Sequence, residues 1–421
     1  MKLLSINNNK LERILPNLFV VLLFVFLSPF YALIFCGFLN LSTWRINFRI
    51  FSFMFALSFA LLYLLKDYNI ESGMGQDVNF YITSFQTIND VAWSEIFYRF
   101  ITSPNGNEPL YWSYIKIAHI LLFGNSVFFT FFHYFLTFVL IAYIGKIIDA
   151  NKFVLIIGCI LLLDYGIIGT IPIFRQVSAI LLFFTGIFLF DAREKGWLPR
   201  IIIYSSFFFH ISLAPMIIFF ELFALVGKRG YIFDASKLYS KAMVGYMAIP
   251  VLALIFFNNN FLYSYIIPAT SFIDFAYVSY FQELHPERPY SGILFNWITY
   301  LILLSLWLRR KKLANTDVFN ATQYFIFLVV INEIPVPDVF SRFIQYAIIG
   351  GTFIIGRMGA ANIKLGFMLL MFMFISFYTQ IHFNPGFNEA LSHKMYSGYL
   401  NPFSGVSNMI LYFDTIFNFN L

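Results

Sequence analysis

The run Ile173-Phe174-Arg175-Gln176-Val177-Ser178-Ala179 decides the fold, because in it an arginine opens an apolar segment that continues to about Phe190. Such a segment predicts a membrane helix, and an arginine at its start is costly unless it snorkels to the interface or binds an anion. Gln176 and the two small residues on the next turn favour a packed polar pocket over a simple interfacial anchor. The run therefore predicts both a helix and a functional site at its first turn.

The composition of the whole chain indicates the same class of protein. Of 421 residues, 60% are hydrophobic and 11% are charged, whereas a soluble domain carries about 25% charged residues. A chain with a mean hydropathy of +0.76 has too little polar surface to cover a globule of this size. We therefore predict an all-α polytopic integral membrane protein with about 10 to 12 transmembrane helices. The net charge of +6 lies mostly in short loops, which is typical of membrane orientation and not of a nucleic-acid partner.

The topology follows from the basic cluster Arg309-Arg310-Lys311-Lys312, which we place in the cytoplasm. The prediction is a single membrane domain over residues 1–421 with three parts outside: a first loop at 66–114, a second loop at 258–291 and a C-terminal tail at 383–421. The start of the Arg175 helix lies on the same side by alternation. Residues 201–226 conflict with simple alternation, and we interpret them as a broken, re-entrant pair of helices with His210 near the tip.

Two other segments depart from a simple span. Residues 15–41 are long for one span and short for two, and Pro29 predicts a kink within them. Residues 110–123 precede a Gly124-Asn125-Ser126 turn and predict an interfacial or re-entrant helix.

Acids and a histidine on the external side are the candidates for catalysis. Asp77 and Tyr81 are one helical turn apart and share a face. Glu108 precedes Pro109, which favours extended backbone, so its carboxylate is presented from a turn at the membrane edge. For both acids the alternatives are a solvated charge and a functional acid or base. For His210, which lies among apolar residues, the alternatives are a hydrogen-bonded core residue and a catalytic base.

A second arginine, Arg342, starts a later span after the turn Pro335-Val336-Pro337, and Tyr346 lies one turn further on the same face. Two arginines that enter the membrane from one side suit a lipid-linked pyrophosphate, because arginine stays charged and binds phosphate oxygens in bidentate fashion. The alternative is a salt bridge between Asp338 and Arg342, four residues apart.

Five motifs with these residues follow one another along the chain: Asp-x-x-x-Tyr at 77–81, Glu-Pro-Leu-Tyr at 108–111, Phe-Arg-Gln-x-x-Ala at 174–179, Phe-His-x-Ser at 209–212 and Arg-Phe-x-x-Tyr at 342–346. Over residues 50–355 the chain resembles the EpsG-like branch of the Wzy polysaccharide polymerases, which make O-antigen or capsule. The resemblance implies a GT-C-like glycosyltransferase of the bacterial inner membrane with its active site at the periplasmic face.

The reaction that the resemblance implies moves a growing glycan from undecaprenyl pyrophosphate onto a new lipid-linked repeat unit. Arg175 with Gln176, and Arg342, would bind the donor pyrophosphate. Tyr81 and Tyr346 are the further candidates for substrate binding.

The same reaction needs a base that deprotonates the acceptor hydroxyl. The candidates are Glu108, Asp77 and His210, in that order. Neither a metal nor another cofactor is expected, because two arginines neutralise the leaving group and the sequence has no paired aspartates to hold a metal. Besides the bilayer and the lipid-linked oligosaccharides, a chain-length regulator and a flippase are the expected partners.

Other functions fit parts of the pattern. One is a different GT-C enzyme, either an O-antigen ligase or a mannosyltransferase-like protein, although the latter usually has paired acids in the first external loop. Another is a membrane O-acyltransferase with His210 as base, which would place that histidine toward the cytoplasm. A third is a lipid-linked oligosaccharide flippase, although transporters show inverted repeats and charges at the bilayer midplane.

Overall fold

The computed structural model describes residues 8–42, 44–64, 73–102, 108–162, 174–192, 196–228 and 337–383, together with 318, 319, 322, 323, 326, 402, 403 and 405–410. The second external loop, the basic cluster and the spans predicted at 242–257 and 293–308 lie outside the described residues.

Every long element in the described part of the chain is an α-helix. In chain order these helices are α1 (Asn8–Phe26), α2 (Pro29–Leu41), α3 (Phe48–Leu64), α4 (Gly73–Thr87), α5 (Trp93–Thr102), α6 (Pro109–Leu121), α7 (Ser126–Ile148), α8 (Phe153–Leu162), α9 (Phe174–Ala192), α10 (Trp197–Phe209), α11 (Ala214–Lys228), α12 (Pro337–Ala361) and α13 (Ile363–Phe383). Two short 3-10 turns, Ile88–Asp90 and Ile211–Leu213, complete the described elements.

The helices are interrupted where the sequence predicts, but the interruption at Pro29 is larger than the predicted kink. Pro29 occupies the first turn of α2, a position that tolerates its missing N–H, and the segment 15–41 is therefore two helices and not one kinked helix. The segment around His210 is a broken pair, as predicted, since α10 ends at Phe209 and α11 begins after the 3-10 turn. The predicted first external loop is largely helical, because α4 and α5 lie within it.

Helix α8 lies at the centre of the described bundle. The side chains of residues 153–161 are all buried, and α2, α7, α12 and α13 pack around them. Two described helices, α7 and α9, are long and apolar enough to cross a membrane. Helix α9 packs against both α7 and α10. The start of α9 and the end of α10 therefore lie side by side.

A glycine sets the close approach of α9 and α10. A Cβ added at Gly186 would lie 2.5 Å from Ile203 Cγ1 and 2.8 Å from the carbonyl oxygen of Pro199. Small residues at such contacts let two helix backbones approach closely in membrane proteins. The contact therefore fixes α10 against α9, and with it the distance between the residues at their ends.

Gly186→Ala is expected to destabilise the protein by about 1–3 kcal/mol, because the added methyl forces the two backbones apart. Gly196→Ala is the matched control, since a Cβ there would meet only Pro199 Cδ at 3.9 Å. The midpoint of thermal unfolding in detergent measures both. Equal midpoints for the two variants would contradict the close approach.

A buried lysine joins the corner after α4 to α6. Lys116 is 7% exposed, and its ammonium donates to the carbonyl oxygens of Ile88 at 3.3 Å and Asn89 at 3.2 Å, and also to that of Val91. One turn further on α6, His119 Nδ1 donates to the carbonyl oxygen of Phe85 at 2.7 Å. These bonds satisfy a carbonyl group in the last turn of α4 and carbonyl groups of the turn that follows it.

Candidate active site

Glu108 connects three distant segments of the chain. It occupies the position before α6, where its backbone is extended and its side chain makes no bond to its own helix. Instead, Glu108 Oε2 accepts a hydrogen bond from Arg175 Nη1 at 2.9 Å, and Oε1 accepts one from His210 Nδ1 at 3.1 Å. The carboxylate is 1% exposed, against 21% for the side chain of Arg175 and 14% for that of His210. We call these three residues the trio.

Aromatic rings surround the guanidinium of Arg175. Its central carbon lies 6.0 Å from the ring centre of Phe80, 5.9 Å from that of Tyr81 and 6.0 Å from that of Tyr111. Such contacts stabilise a cation through the negative faces of the rings. Arg175 therefore keeps its charge in a largely buried site.

The break between α10 and α11 presents His210. Its backbone is extended, its N–H donates to the carbonyl oxygen of Ser206 at 2.9 Å, and its own carbonyl accepts from the N–H of Leu213 at 3.2 Å. The ring of the preceding Phe209 packs 6.2 Å from that of Tyr111, which anchors the end of α10 on α6. The interruption is thus hydrogen-bonded and packed, and it fixes the direction of the imidazole.

The proton on His210 follows from its partner. An ionised carboxylate only accepts hydrogen bonds, so Nδ1 of His210 carries a hydrogen, and a ring with this one hydrogen has its lone pair on Nε2. A histidine held in this way by a carboxylate is the usual arrangement of a general base.

Charge around Glu108 keeps it ionised. Burial alone raises the pKa of a carboxyl group, but the hydrogen bond from His210 and the charge of Arg175 outweigh burial here and hold the pKa of Glu108 below its ordinary value. Glu108 is therefore an anion that binds two donors, and a weak proton acceptor.

This lowered pKa predicts that the protein loses stability at acid pH. The contribution of ionised Glu108 is complete above its ordinary pKa of 4.5 and is lost as the pH falls through the lower pKa of the folded protein. Unfolding midpoints of the wild type and Glu108→Gln, measured from pH 7 to pH 3, are expected to converge only below about pH 4.5. Convergence already near pH 6 would contradict a lowered pKa.

Ser212 and Tyr346 form a buried hydrogen bond beside the trio. Their hydroxyl oxygens are 2.5 Å apart, and Tyr346 has no exposed surface. Because Ser212 lies in the turn that follows His210, this bond ties that turn to α12. Tyr346 thus contacts the turn that carries His210.

Ser212→Ala and Tyr346→Phe are each expected to cost about 1–3 kcal/mol, because each removes the partner of a buried hydroxyl. The double variant is expected to be more stable than the sum of the two losses predicts, with a coupling of about 0.5–3 kcal/mol. Unfolding midpoints of the four proteins measure this coupling. Strict additivity would contradict a direct bond.

The other predicted site residues lie near the trio or outside the described side chains. Tyr81 is buried and stacks on Phe174 with ring centres 5.0 Å apart, and Gln176 is buried on the first turn of α9. Asp77 lies on α4 and Arg342 on α12, but the side chains of both lie outside the described residues.

Two residues near the trio are not singled out by the sequence. Tyr111 follows Glu108 by three residues and faces Arg175, and Ser212 follows His210 by two. Both belong to the motifs at 108–111 and 209–212, so the motifs are the signal that would have found them. Among the described residues, no group of three or more His, Cys, Asp or Glu side chains is placed to hold a metal ion.

A known protein family matches a part of the chain that includes this site. The model of the EpsG family matches residues 49–395, which include the trio and Tyr346. No curated protein and no solved structure matches the chain. The match extends over most of the 421 residues and agrees with the resemblance carried by the five motifs, with the apolar composition and with the apolar helices α7 and α9. The chain is a membrane protein of polysaccharide biosynthesis and belongs to the EpsG family.

Proposed function

We propose that the protein is a Wzy-type polysaccharide polymerase. It transfers a glycan chain from undecaprenyl pyrophosphate to the hydroxyl group of a lipid-linked repeat unit at the periplasmic face of the inner membrane. The observation that carries the proposal is the trio, in which one cation and one oriented histidine meet on a shared carboxylate within the matched region.

In the proposed reaction the acceptor hydroxyl attacks the anomeric carbon of the donor glycan. The new carbon–oxygen bond forms as the bond to the pyrophosphate breaks, the hydroxyl proton goes to His210 Nε2, and undecaprenyl pyrophosphate leaves with both electrons. Arg175 stabilises the charge that grows on the departing oxygen, which is electrostatic catalysis. A guanidinium has five N–H donors, and in Arg175 the nitrogen Nη1 donates to Glu108.

The geometry changes the preferred order of the candidate bases. Glu108 bonds to Arg175 and His210 and has a lowered pKa, so it suits the orientation of the histidine better than the removal of a proton. We therefore assign the base to His210 and place Glu108 behind it. Arg342 remains our candidate for a second pyrophosphate ligand, and Asp77 a further acid of the same site.

The enzyme is also proposed to act together with partner proteins. A polymerase that acts at the periplasmic face needs a flippase to deliver the lipid-linked repeat unit. A chain-length regulator would set the number of repeats. Both are proposed partners, as are the lipid substrates and the bilayer itself.

The test of the function is the surface polysaccharide of a strain that lacks the gene. We expect single repeat units without the gene and a ladder of longer chains when the wild-type gene is restored. A full ladder in the deletion strain would overturn the polymerase. Accumulation of repeat units only on the cytoplasmic side would indicate a flippase in its place.

A further inference from the structure

An exposed aromatic ring lies beside the trio and is not used in the proposed reaction. Phe80 of α4 is 49% exposed, and its ring centre lies 6.0 Å from the guanidinium carbon of Arg175. The half-buried Trp112 approaches it edge to face, with ring centres 6.4 Å apart. Trp112 lies one helical turn after Glu108, so the two rings border the site on the side of Arg175.

The face of α4 that carries Phe80 is otherwise polar. The exposed side chains at residues 78–87 are those of Asn79, Phe80, Thr83, Gln86 and Thr87. A helix face that contacts lipid is apolar throughout, as on α7, where exposed Phe128, Phe132 and Leu136 recur every four residues. Phe80 is therefore a single large apolar group on a face suited to water or to a polar ligand.

A sugar ring is a ligand that needs both kinds of surface. One face of a pyranose carries C–H bonds that pack on the negative face of an aromatic ring, and its edge carries hydroxyl groups that need hydrogen-bonding partners. Phe80 offers the ring, and the exposed Thr83 and Gln86 on the same face of α4 offer hydroxyl and amide groups. A polyprenyl tail would bury only the apolar ring and would gain nothing from the polar groups around it.

We propose that Phe80, with Trp112 at its edge, is a stacking platform for a pyranose ring of the lipid-linked glycan. This inference rests on the proposed function and names the place of the sugar within it. Because Phe80 lies next to the arginine assigned to the pyrophosphate, the sugar on Phe80 is the one attached to that pyrophosphate. The platform thus holds the reacting end of the donor beside Arg175.

The test uses the purified full-length protein in nanodiscs and two probes. One probe is the free repeat-unit oligosaccharide, released by mild acid from the lipid of a strain that lacks the gene. The other is inorganic pyrophosphate. Binding is followed by saturation-transfer NMR for the oligosaccharide and by the shift of the unfolding midpoint for pyrophosphate, so neither measurement needs turnover.

Phe80→Leu is expected to weaken oligosaccharide binding about tenfold, because leucine keeps the apolar bulk but lacks the ring face. Pyrophosphate binding is expected to be unchanged, because Tyr81, Tyr111 and Glu108 still hold the guanidinium of Arg175. Phe80→Tyr is expected to bind the oligosaccharide as the wild type does. Phe97→Leu on α5, a ring that is 53% exposed, is the matched control and is expected to change neither probe.

Three results would overturn the platform. They are unchanged oligosaccharide binding in Phe80→Leu, an equal loss in Phe97→Leu, and a parallel loss of pyrophosphate binding, which would mean that Phe80 only positions Arg175. A loss seen with the intact lipid-linked unit but not with the free oligosaccharide would identify the polyprenyl tail as the occupant. Failure of the polymerase itself is distinct, because it would appear as an unchanged polysaccharide ladder in the deletion strain.

Discussion

His210→Ala is expected to reduce the rate of chain extension by about 10²- to 10⁴-fold, which is the usual contribution of a positioned general base. The imidazole is held by Glu108 at 3.1 Å and sits at a break between two helices, so the substitution removes the base and leaves the packing of α9 against α10 in place. The rate is measured as incorporation of repeat units into polymer in isolated membranes, with the amount of folded protein determined alongside.

His119→Ala is the matched control for this loss. His119 also carries an Nδ1 hydrogen bond, but to the carbonyl oxygen of Phe85 and outside the trio. We expect its chain extension per folded molecule to stay within a few-fold of the wild type, since surface and packing changes of this kind act through stability. A similar loss in both variants, or full activity in His210→Ala, would remove His210 from the reaction.

Arg175→Ala is expected to abolish the ladder and leave single repeat units. Loss of one donor aimed at a developing negative charge costs about 10²- to 10³-fold in rate. The same change leaves Glu108 as a buried carboxylate without its cation, and breaking a buried pair destabilises a protein by about 3–5 kcal/mol. Activity and stability are therefore both expected to fall, and polysaccharide gels and unfolding midpoints measure them separately.

The double variant Arg175→Ala with Glu108→Gln separates these two effects. It removes the unpaired charge, so the unfolding midpoint is expected to recover much of the loss while polymer remains absent. A double variant that regains both stability and polymer would show that Arg175 serves only as the ion-pair partner of Glu108. A ladder in Arg175→Ala alone would make it an interfacial anchor.

The candidate site was predictable where a polar side chain interrupts an apolar segment. Arg175 and His210 are conspicuous because burial of a charge or an imidazole in such a segment needs a reason. Glu108 was predictable from the proline after it. The structure brings these three residues together, although 67 residues separate Glu108 from Arg175 and 102 separate it from His210.

Their pairing was not predictable, because periodicity relates only neighbours along one helix. The sequence ranks Glu108 first among the bases, and only the contacts with His210 and Arg175 show that its pKa is lowered. Ser212 and Tyr111 were missed as single residues for a different reason. A serine or tyrosine in an apolar helix costs little, so nothing in composition separates a positioning hydroxyl from ordinary packing.

The Arg175 helix was predictable to within a few residues, since its apolar stretch determines it, whereas the helices α4 and α5 within the predicted first loop were not, because their sequences lack such a stretch. The break at His210 follows from a conflict in topology. The close approach at Gly186 does not, because it depends on which helix lies opposite.

The buried Lys116 has a consequence for the surface charge of the folded protein. Its charge is enclosed by three carbonyl groups, and the charge of Arg175 is neutralised by Glu108. In the folded protein Lys116 therefore has little surface from which to contact anionic head groups, whereas Arg175 is still 21% exposed. Among the described basic residues, Lys116 thus belongs to the interior, and a count of the surface charges of the folded protein leaves it out.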